Sequence, residues 1–192
     1  MTIRTVAPVA RLILAAALLG IAMLLWKNMP TKMDTWAPIA VEARVGERSV
    51  GRDLAVTVHS VHLARAVTFQ HTGQPARLPA TAAWLVFDLT YEPLHDGDGR
   101  PMLQLIADGR NYKSNVGSFR GPRIPIGMPK RGVAAFELPN IPAAADFTVA
   151  NQTQEKWGNP LDAPLDSQIS LPIDVAGLSL QDSVDLDELA GE

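Results

Sequence analysis

The stretch AWLVFDLTYEP, residues 83–93, constrains the fold more than any other part of the chain. Its apolar residues recur at every second position, which places Leu85, Phe87 and Leu89 on one face of an extended strand. Asp88 falls on the opposite face. A sheet with one face packed on a core requires this pattern, so we predict that Leu85, Phe87 and Leu89 are core residues. We also predict that Asp88 matters much less for stability.

Similar short runs recur through the rest of the chain, and turn residues interrupt them every ten or so positions. The glycines and prolines of HTGQPARLPA, HDGDGRP and GPRIPIGMPK exclude a continuous helix and separate the strands. We therefore predict an all-β fold, an antiparallel β-sandwich of seven or eight short strands. Besides 83–93, the candidate strands are residues 39–47, 53–63, 102–107, 110–113, 132–138, 146–151 and 168–175.

An apolar segment near the N-terminus predicts a transmembrane helix before the sandwich. Residues 12–26 are 15 consecutive apolar or small residues, and counting back through Arg11 to Val6 gives 21, close to the roughly 20 that a spanning helix needs. A cleaved secretory peptide is the alternative, but no clean small-x-small site follows the run. We predict an uncleaved single-pass signal anchor in the cell membrane, with the rest outside the cytoplasm. The anchor residues are Leu12, Leu14, Leu18, Leu19, Ile21, Leu24, Leu25 and Trp26.

Charge is distributed unevenly along the chain. Four of the 17 basic residues and none of the 20 acidic ones precede residue 33, which leaves a formal charge of −7 on the remainder. Such a domain does not bind nucleic acid. Six basic residues between Arg110 and Arg131 have no acid among them, whereas residues 177–192 carry five acids and no base. The expected domains are residues 1–32 (arm and anchor), 33–37 (linker), 38–176 (sandwich) and 177–192 (acidic tail).

The order of these strands resembles a known family. LAVTVHSVHLA, AAWLVFDLTYEP, LIADGRNY, GMPKRG and VAAFELPN follow one another as in the DUF4352 family of extracytoplasmic bacterial domains, whose fold is similar to that of small immunoglobulin-like antigens secreted by mycobacteria. The resemblance covers residues 38–175. It implies an immunoglobulin-like sandwich that is exported on a signal, lipoprotein or membrane anchor and has no catalytic residues. The chain departs from it in having no cysteine to carry a lipid.

Two groups of polar residues invite a chemical interpretation, which we weigh against a structural one. In LIADGRNYKSN, residues 105–115, Asp108-Gly109 is a favoured pair for a tight hairpin turn, while Tyr112 and Lys113 would lie on opposite strand faces. His59 and His62 also point to opposite faces of a strand, so one metal ion could not easily bind both without a bulge. We therefore expect no catalytic, cofactor or metal site.

The sequence thus favours a non-catalytic, membrane-tethered module that docks on another envelope or membrane protein. The alternative is a domain that binds a small or lipidic envelope ligand in a cleft of the sandwich. The acidic tail would pack on the chain's own basic loop, dock on a partner or remain disordered, and we expect it to be dispensable for folding. The predicted partner-binding residues are Arg120, Arg123, Lys130, Arg131, Leu186 and Leu189.

Overall fold

The fold was obtained as a computed structural model of the 192-residue chain. It describes residues 6–29, 38–95, 99–114, 116–119, 121–151 and 167–191, with the exception of the side chains of residues 6–10 and of Leu12. The chain divides into two compact units, Met1–Ala37 and Pro38–Glu192. Each unit is described by itself. The predicted linker, residues 33–37, lies outside the described residues.

The first unit contains helix α1, Val6–Lys27. Its described large apolar side chains are all exposed, from Ile21 at 54% to Trp26 at 81%. Nowhere in the described ranges is there a helix with both the length and the apolarity to cross a membrane. The helix itself is present, but the structure does not support its assignment as a transmembrane span. The predicted anchor residues with a described, exposed side chain are Leu14, Leu18, Leu19, Ile21, Leu24, Leu25 and Trp26.

The second unit is a β-sandwich, which confirms the predicted architecture. Sheet A comprises β1 (Ile39–Glu42), β5 (Pro101–Ala107), β6 (Arg110–Lys113), β9 (Ala144–Asn151) and β10 (Ser167–Asp174). Sheet B comprises β2 (Arg48–Val50), β3 (Leu54–His71), β4 (Gln74–Pro93), β7 (Val116–Gly117), β8 (Lys130–Leu138), β11 (Leu180–Gln181) and β12 (Val184–Asp185); helix α2 (Leu186–Ala190) follows. The strand order is β1-β10-β9-β5-β6 in sheet A and β11-β3-β4-β8-β7 in sheet B, where β2 and β12 also pair with β3.

The described strands are more numerous than the seven or eight predicted, because short pieces pair along the long strand β3. Most neighbouring strands are antiparallel, as expected, but β1 runs parallel to β10, and both β11 and β12 run parallel to β3. The predicted strand 39–47 is interrupted, since β1 ends at Glu42 and β2 begins only at Arg48.

The core between the sheets contains the residues that the alternation predicted. Leu85, Phe87 and Leu89 are fully buried. Phe87 stacks on Phe147 of sheet A with ring centroids 4.0 Å apart and meets Phe136 edge-on at 5.7 Å. The contact with Phe147 joins the two sheets, whereas Phe136 lies on β8 of the same sheet as Phe87. Burial of such rings is a main source of stability.

The opposite face of β4 is buried as well, which the alternation did not predict. Trp84 and Val86 belong to a second apolar cluster with Val184 and Leu186. The part of the chain around Val184 and Leu186 therefore covers this face of sheet B. Asp88, on the same face, is only 2% exposed. The smaller stability cost expected for Asp88 than for Phe87 stays a prediction, although Asp88 is as well buried as the core residues.

A second difference concerns HTGQPARLPA, residues 71–80, which we expected to interrupt the strands. Instead β3 and β4 pair through this region and turn at Thr72 and Gly73, whose φ angles are 51° and 78°. Pro75 and Pro79 fit because β8 pairs with β4 only from Ala83 onward, so no strand among the described residues pairs with that edge of β4 there. Proline is tolerated at such an edge.

Candidate docking surfaces

The stretch around Asp108 is a hairpin, as predicted. Asp108 and Gly109 have φ angles of 49° and 69°, and they connect β5 to β6 with Ala107 paired to Arg110. Positive φ at both central residues is the type I′ geometry that Asp-Gly favours. The Asn140 side-chain amide donates a hydrogen bond to Asp108 Oδ2 at 2.8 Å. Tyr112 is partly buried and packs against the core.

The histidines of β3 have separate hydrogen-bond partners. The register of β3 and β4 shifts between Val58 and Ser60, which places an irregularity at His59. His59 Nε2 lies 2.8 Å from Thr90 Oγ1, whereas His62 Nε2 lies 2.8 Å from Ser60 Oγ. Within the part of the chain that the structure describes, no three histidine or acidic side chains cluster as metal ligands would.

The structure separates the predicted partner-binding basic residues. Arg131 bonds to Asp88, with Nε 3.0 Å from Oδ1 and Nη2 2.7 Å from Oδ2. This pairing raises the pKa of the Arg131 guanidinium above its ordinary value. Lys130, the next residue along the strand, instead donates to the Ser118 carbonyl at 3.1 Å and lies 6.0 Å from the centre of the Phe119 ring. Arg120 lies outside the described residues.

The two predicted leucines of the acidic tail also have another role. Leu186 is 2% exposed and belongs to the apolar cluster on sheet B. Leu189 is partly buried and packs against the same cluster. In this fold both leucines therefore pack on the chain's own sheet B.

The connection between β7 and β8 presents apolar side chains to solvent, and we call residues 121–130 the proline loop. Its turn is held from both sides, since the Met128 amide donates to the Pro125 carbonyl at 3.1 Å and the Gly127 amide donates to the Pro93 carbonyl at 2.8 Å. Ile124 is buried beneath it. Ile126 and Met128, on the turn, are 48% and 57% exposed. Arg123, another predicted partner-binding residue, is a partly buried member of this loop.

A cleft of about 330 Å³ opens between the sheets at the β6–β7 edge of the sandwich. Its volume is at the lower end of the range that small-molecule sites occupy. The Ser114 hydroxyl in its wall donates to backbone carbonyls of Val116 and Ala135 at 2.9 and 3.2 Å. The lining residues are Pro101, Met102, Leu103, Gln104, Lys113, Ser114, Gly117, Phe119 and Val133.

Sequence reasoning missed a buried polar contact at one end of the core. Tyr91 is fully buried, and its hydroxyl donates to Asn151 Oδ1 at 2.9 Å. Burial, and secondly the charge of Asp53, raise the pKa of the Tyr91 phenol well above its ordinary value. A phenol with a raised pKa stays protonated at neutral pH, so Tyr91 is a structural hydrogen-bond donor here. The period-two alternation places Tyr91 on the core face but does not indicate its partner.

Comparisons with known proteins identify no family for this chain. No protein-family profile matches the chain, and no curated protein matches it, so the resemblance to DUF4352 is not confirmed. A solved structure that matches is an uncharacterized beta-sandwich protein from Clostridium difficile 630, with a TM-score of 0.40 and 9% sequence identity. The match covers 71% of this chain and 95% of that one. The two packed sheets of residues 38–192 make this chain a β-sandwich protein.

Proposed function

We propose that this protein is a non-catalytic interaction module of the cell envelope that docks on another envelope or membrane protein through the proline loop. The observation that carries the proposal is the exposure of Ile126 and Met128 on a turn whose backbone is fixed by hydrogen bonds to Pro93 and Pro125. Exposed apolar side chains on a loop held by a rigid scaffold are typical of binding surfaces.

The loop is well suited to binding because little order has to be gained on contact. Prolines restrict its backbone before a partner arrives, and preorganisation of this kind lowers the entropic cost of association. Lys130 follows the turn, and Arg131 is 52% exposed beside it. The partner that fits this surface has an apolar depression with an acidic rim, since opposite charge favours the encounter.

We also propose where the protein is located. The sandwich, of immunoglobulin-like type, lies outside the cytoplasm, and contact of α1 with lipid holds it at the cell membrane. The support is that Leu14, Leu18 and Leu25 are each about 60% exposed or more. A helix that is apolar on all sides requires apolar surroundings.

Membrane fractionation tests the location. We expect the full chain to stay in the membrane pellet through high-salt and carbonate washes, and a chain that starts at Met33 to appear in the supernatant. Release of the full chain by carbonate would refute the attachment. A native N-terminus beyond Trp26 would refute an uncleaved anchor.

A pull-down from gently solubilised membranes tests the docking loop. The full chain should recover a stoichiometric protein partner, and the double variant Ile126→Ser, Met128→Ser should lose it without a change in thermal unfolding. Ile141→Ser is the matched control, because Ile141 is 44% exposed on a different loop. Equal recovery by the loop variant and the control would overturn the assignment of the surface.

The cleft at the β6–β7 edge supports a second candidate, binding of a small or lipidic envelope ligand. Apolar walls from Leu103 and Phe119 with one ammonium group, that of Lys113, would suit an amphiphile with an anionic head. Mass spectrometry of the purified full chain distinguishes the candidates. A co-purifying lipid without a protein partner would favour the cleft, and its loss from the variant Leu103→Asp would locate it there.

A further inference from the structure

The segment of residues 178–191, which we call the C-terminal segment, lies along the edge of β3 and on the adjacent face of sheet B. Leu180 pairs with Leu63, and Val184 pairs with Val67, both in parallel. Parallel addition of a short strand to a sheet edge is a recurrent mode of peptide binding. We call the site that receives the segment the edge groove. It combines the edge of β3 at residues 63–68 with a floor formed by Ala64, Val67, Trp84, Val86, Val133 and Ala135.

Side chains fix the register of the segment in the groove. The Thr68 hydroxyl donates to Asp185 Oδ2 at 3.1 Å, and the Gln70 backbone amide donates to Asp187 Oδ2. Asp185 also caps α2, because its carboxylate accepts from the amides of Asp187 and Glu188. Gln181 Nε2 lies 3.2 Å from His62 Nδ1. Asp185 and Asp187 therefore accept hydrogen bonds along the sheet edge. The apolar residues Val184 and Leu186 pack against the floor of the groove.

Residues 180–188 make these contacts with residues 62–70 and with the neighbouring strands β4 and β8. Residues 175–179 connect this part of the chain to β10. The geometry of the groove does not depend on which molecule supplies the segment. We propose that the edge groove is a peptide-binding site for the acidic and apolar C-terminal segment, and that a second copy of this chain occupies it by exchanging the segment.

Exchange leaves the groove contacts unchanged, so the balance between closed monomer and exchanged dimer depends on the connection and on protein concentration. In the closed form the connection is a turn held by three hydrogen bonds: the Leu178 amide donates to the Val175 carbonyl at 3.1 Å, the Gly177 amide donates to Asp174 Oδ1 at 3.3 Å, and the Ala176 amide donates to the Ala143 carbonyl at 3.1 Å. Leu178 also packs against the core between the sheets. Exchange would open this turn and give up these contacts, while every contact in the groove would form again with the second copy.

Disulfide trapping tests the proposal on the full chain, which contains no cysteine of its own. Thr68 and Asp185 are Cα partners in the parallel pair, and their side chains are in contact. Adjacent strands bring cysteines within the range that a disulfide spans. One preparation carries Thr68→Cys, another carries Asp185→Cys, and the two are mixed in detergent, incubated and oxidised. A covalent heterodimer between them forms at this register only if the segment of one molecule lies in the groove of the other.

Two controls make the result decisive. A chain with both substitutions should form an intramolecular disulfide, which shows that the segment still binds after Asp185 loses its capping role. Asp182→Cys, exposed on the same segment without a pairing partner on β3, measures random collision. We expect Thr68→Cys to cross-link several-fold more to Asp185→Cys than to Asp182→Cys, with a yield that rises with concentration. Equal yields for the two would overturn the exchange, whatever the outcome of the docking-loop experiment.

Discussion

Asp88 and Arg131 form a two-contact ion pair between neighbouring strands β4 and β8. The Asp88 side chain is 3% exposed, whereas that of Arg131 is 52% exposed. Water therefore reaches the Arg131 guanidinium but hardly the Asp88 carboxylate. Among the described residues, Arg131 bonds to both carboxylate oxygens of Asp88. Substitution of Asp88 and substitution of Arg131 should therefore lower stability by different amounts. Only the loss of Arg131 leaves a buried group, the Asp88 carboxylate, without its hydrogen bonds.

The first prediction compares the two sides of this pair. Arg131→Met keeps the aliphatic stem but leaves the Asp88 carboxylate buried without its partner, so it should lower the free energy of unfolding more than Asp88→Ala does. Asp88→Ala removes the buried charge together with its bonds and should cost about 1–2 kcal/mol. Urea unfolding at neutral pH measures both. An Asp88 variant less stable than the Arg131 variant would contradict this asymmetry.

Phe87, adjacent to Asp88 in sequence, faces the other side of the sheet. Phe87→Ala removes the stacked contact with Phe147 and the edge contact with Phe136, and should cost about 3–5 kcal/mol, as other large aromatic truncations do. Denaturant unfolding of Phe87→Ala beside Asp88→Ala checks the assignment of the strand faces. Equal losses in the two variants would show that the faces contribute alike.

The C-terminal segment should contribute to stability, in contrast to the expectation from sequence that it is dispensable. Leu186→Ala truncates a side chain that is 2% exposed and should cost about 2–4 kcal/mol. Leu189→Ala, in the same helix but only partly buried, is the matched control and should cost clearly less. Deletion of residues 178–192 should lower the thermal transition further than Leu186→Ala, because it uncovers Trp84 and Val86. An unchanged transition after the deletion would restore the original expectation.

Tyr91 predicts a pH dependence at the alkaline end. Burial raises the pKa of this phenol in the folded chain above its ordinary value, so the folded state favours the neutral form. This contribution is fully present below the pKa of the unfolded chain and is lost as the pH rises from there toward the folded pKa. Above about pH 10 the free energy of unfolding should fall by up to about 1.4 kcal/mol per pH unit through this group.

The measurement is urea unfolding between pH 8 and pH 11 for the parent chain and for Tyr91→Phe. The variant should be less stable at pH 8, because Asn151 loses its hydrogen-bond donor, and its stability should fall less steeply above about pH 10. Tyr112→Phe removes the only other tyrosine of the chain and serves as the matched control. Parallel curves for Tyr91→Phe and the parent would exclude a role for Tyr91 in the alkaline loss.

The hairpin turn between β5 and β6 should depend on Gly109. A Cβ there meets nothing within 4 Å, so the cost of Gly109→Ala comes from the φ angle of 69° alone and should be about 1–2 kcal/mol. Asp108→Asn is the control, because asparagine accepts positive φ and can keep the hydrogen bond from Asn140. Thermal unfolding measures both, and an alanine variant as stable as the parent would argue against this turn geometry.

The sequence by itself determined the features that depend on residues close together in the chain. Alternation in residues 83–93 identified Leu85, Phe87 and Leu89 as core, because successive side chains of a strand must point to opposite faces. The pair Asp108-Gly109 identified the hairpin, because few residues accept positive φ at both positions.

Only the tertiary structure decided what covers each face. Periodicity reports which residues share a face, and it contains no information on a segment a hundred residues later that packs over that face, as Leu186 does against Trp84 and Val86. The same limit hid the pairing of Asp88 with Arg131, 43 positions away. It also made residues 120–131 look like one basic surface, although alternation along β8 directs Lys130 and Arg131 to different neighbours. Long-range packing, which local patterns do not encode, therefore placed the acidic segment on the sheet.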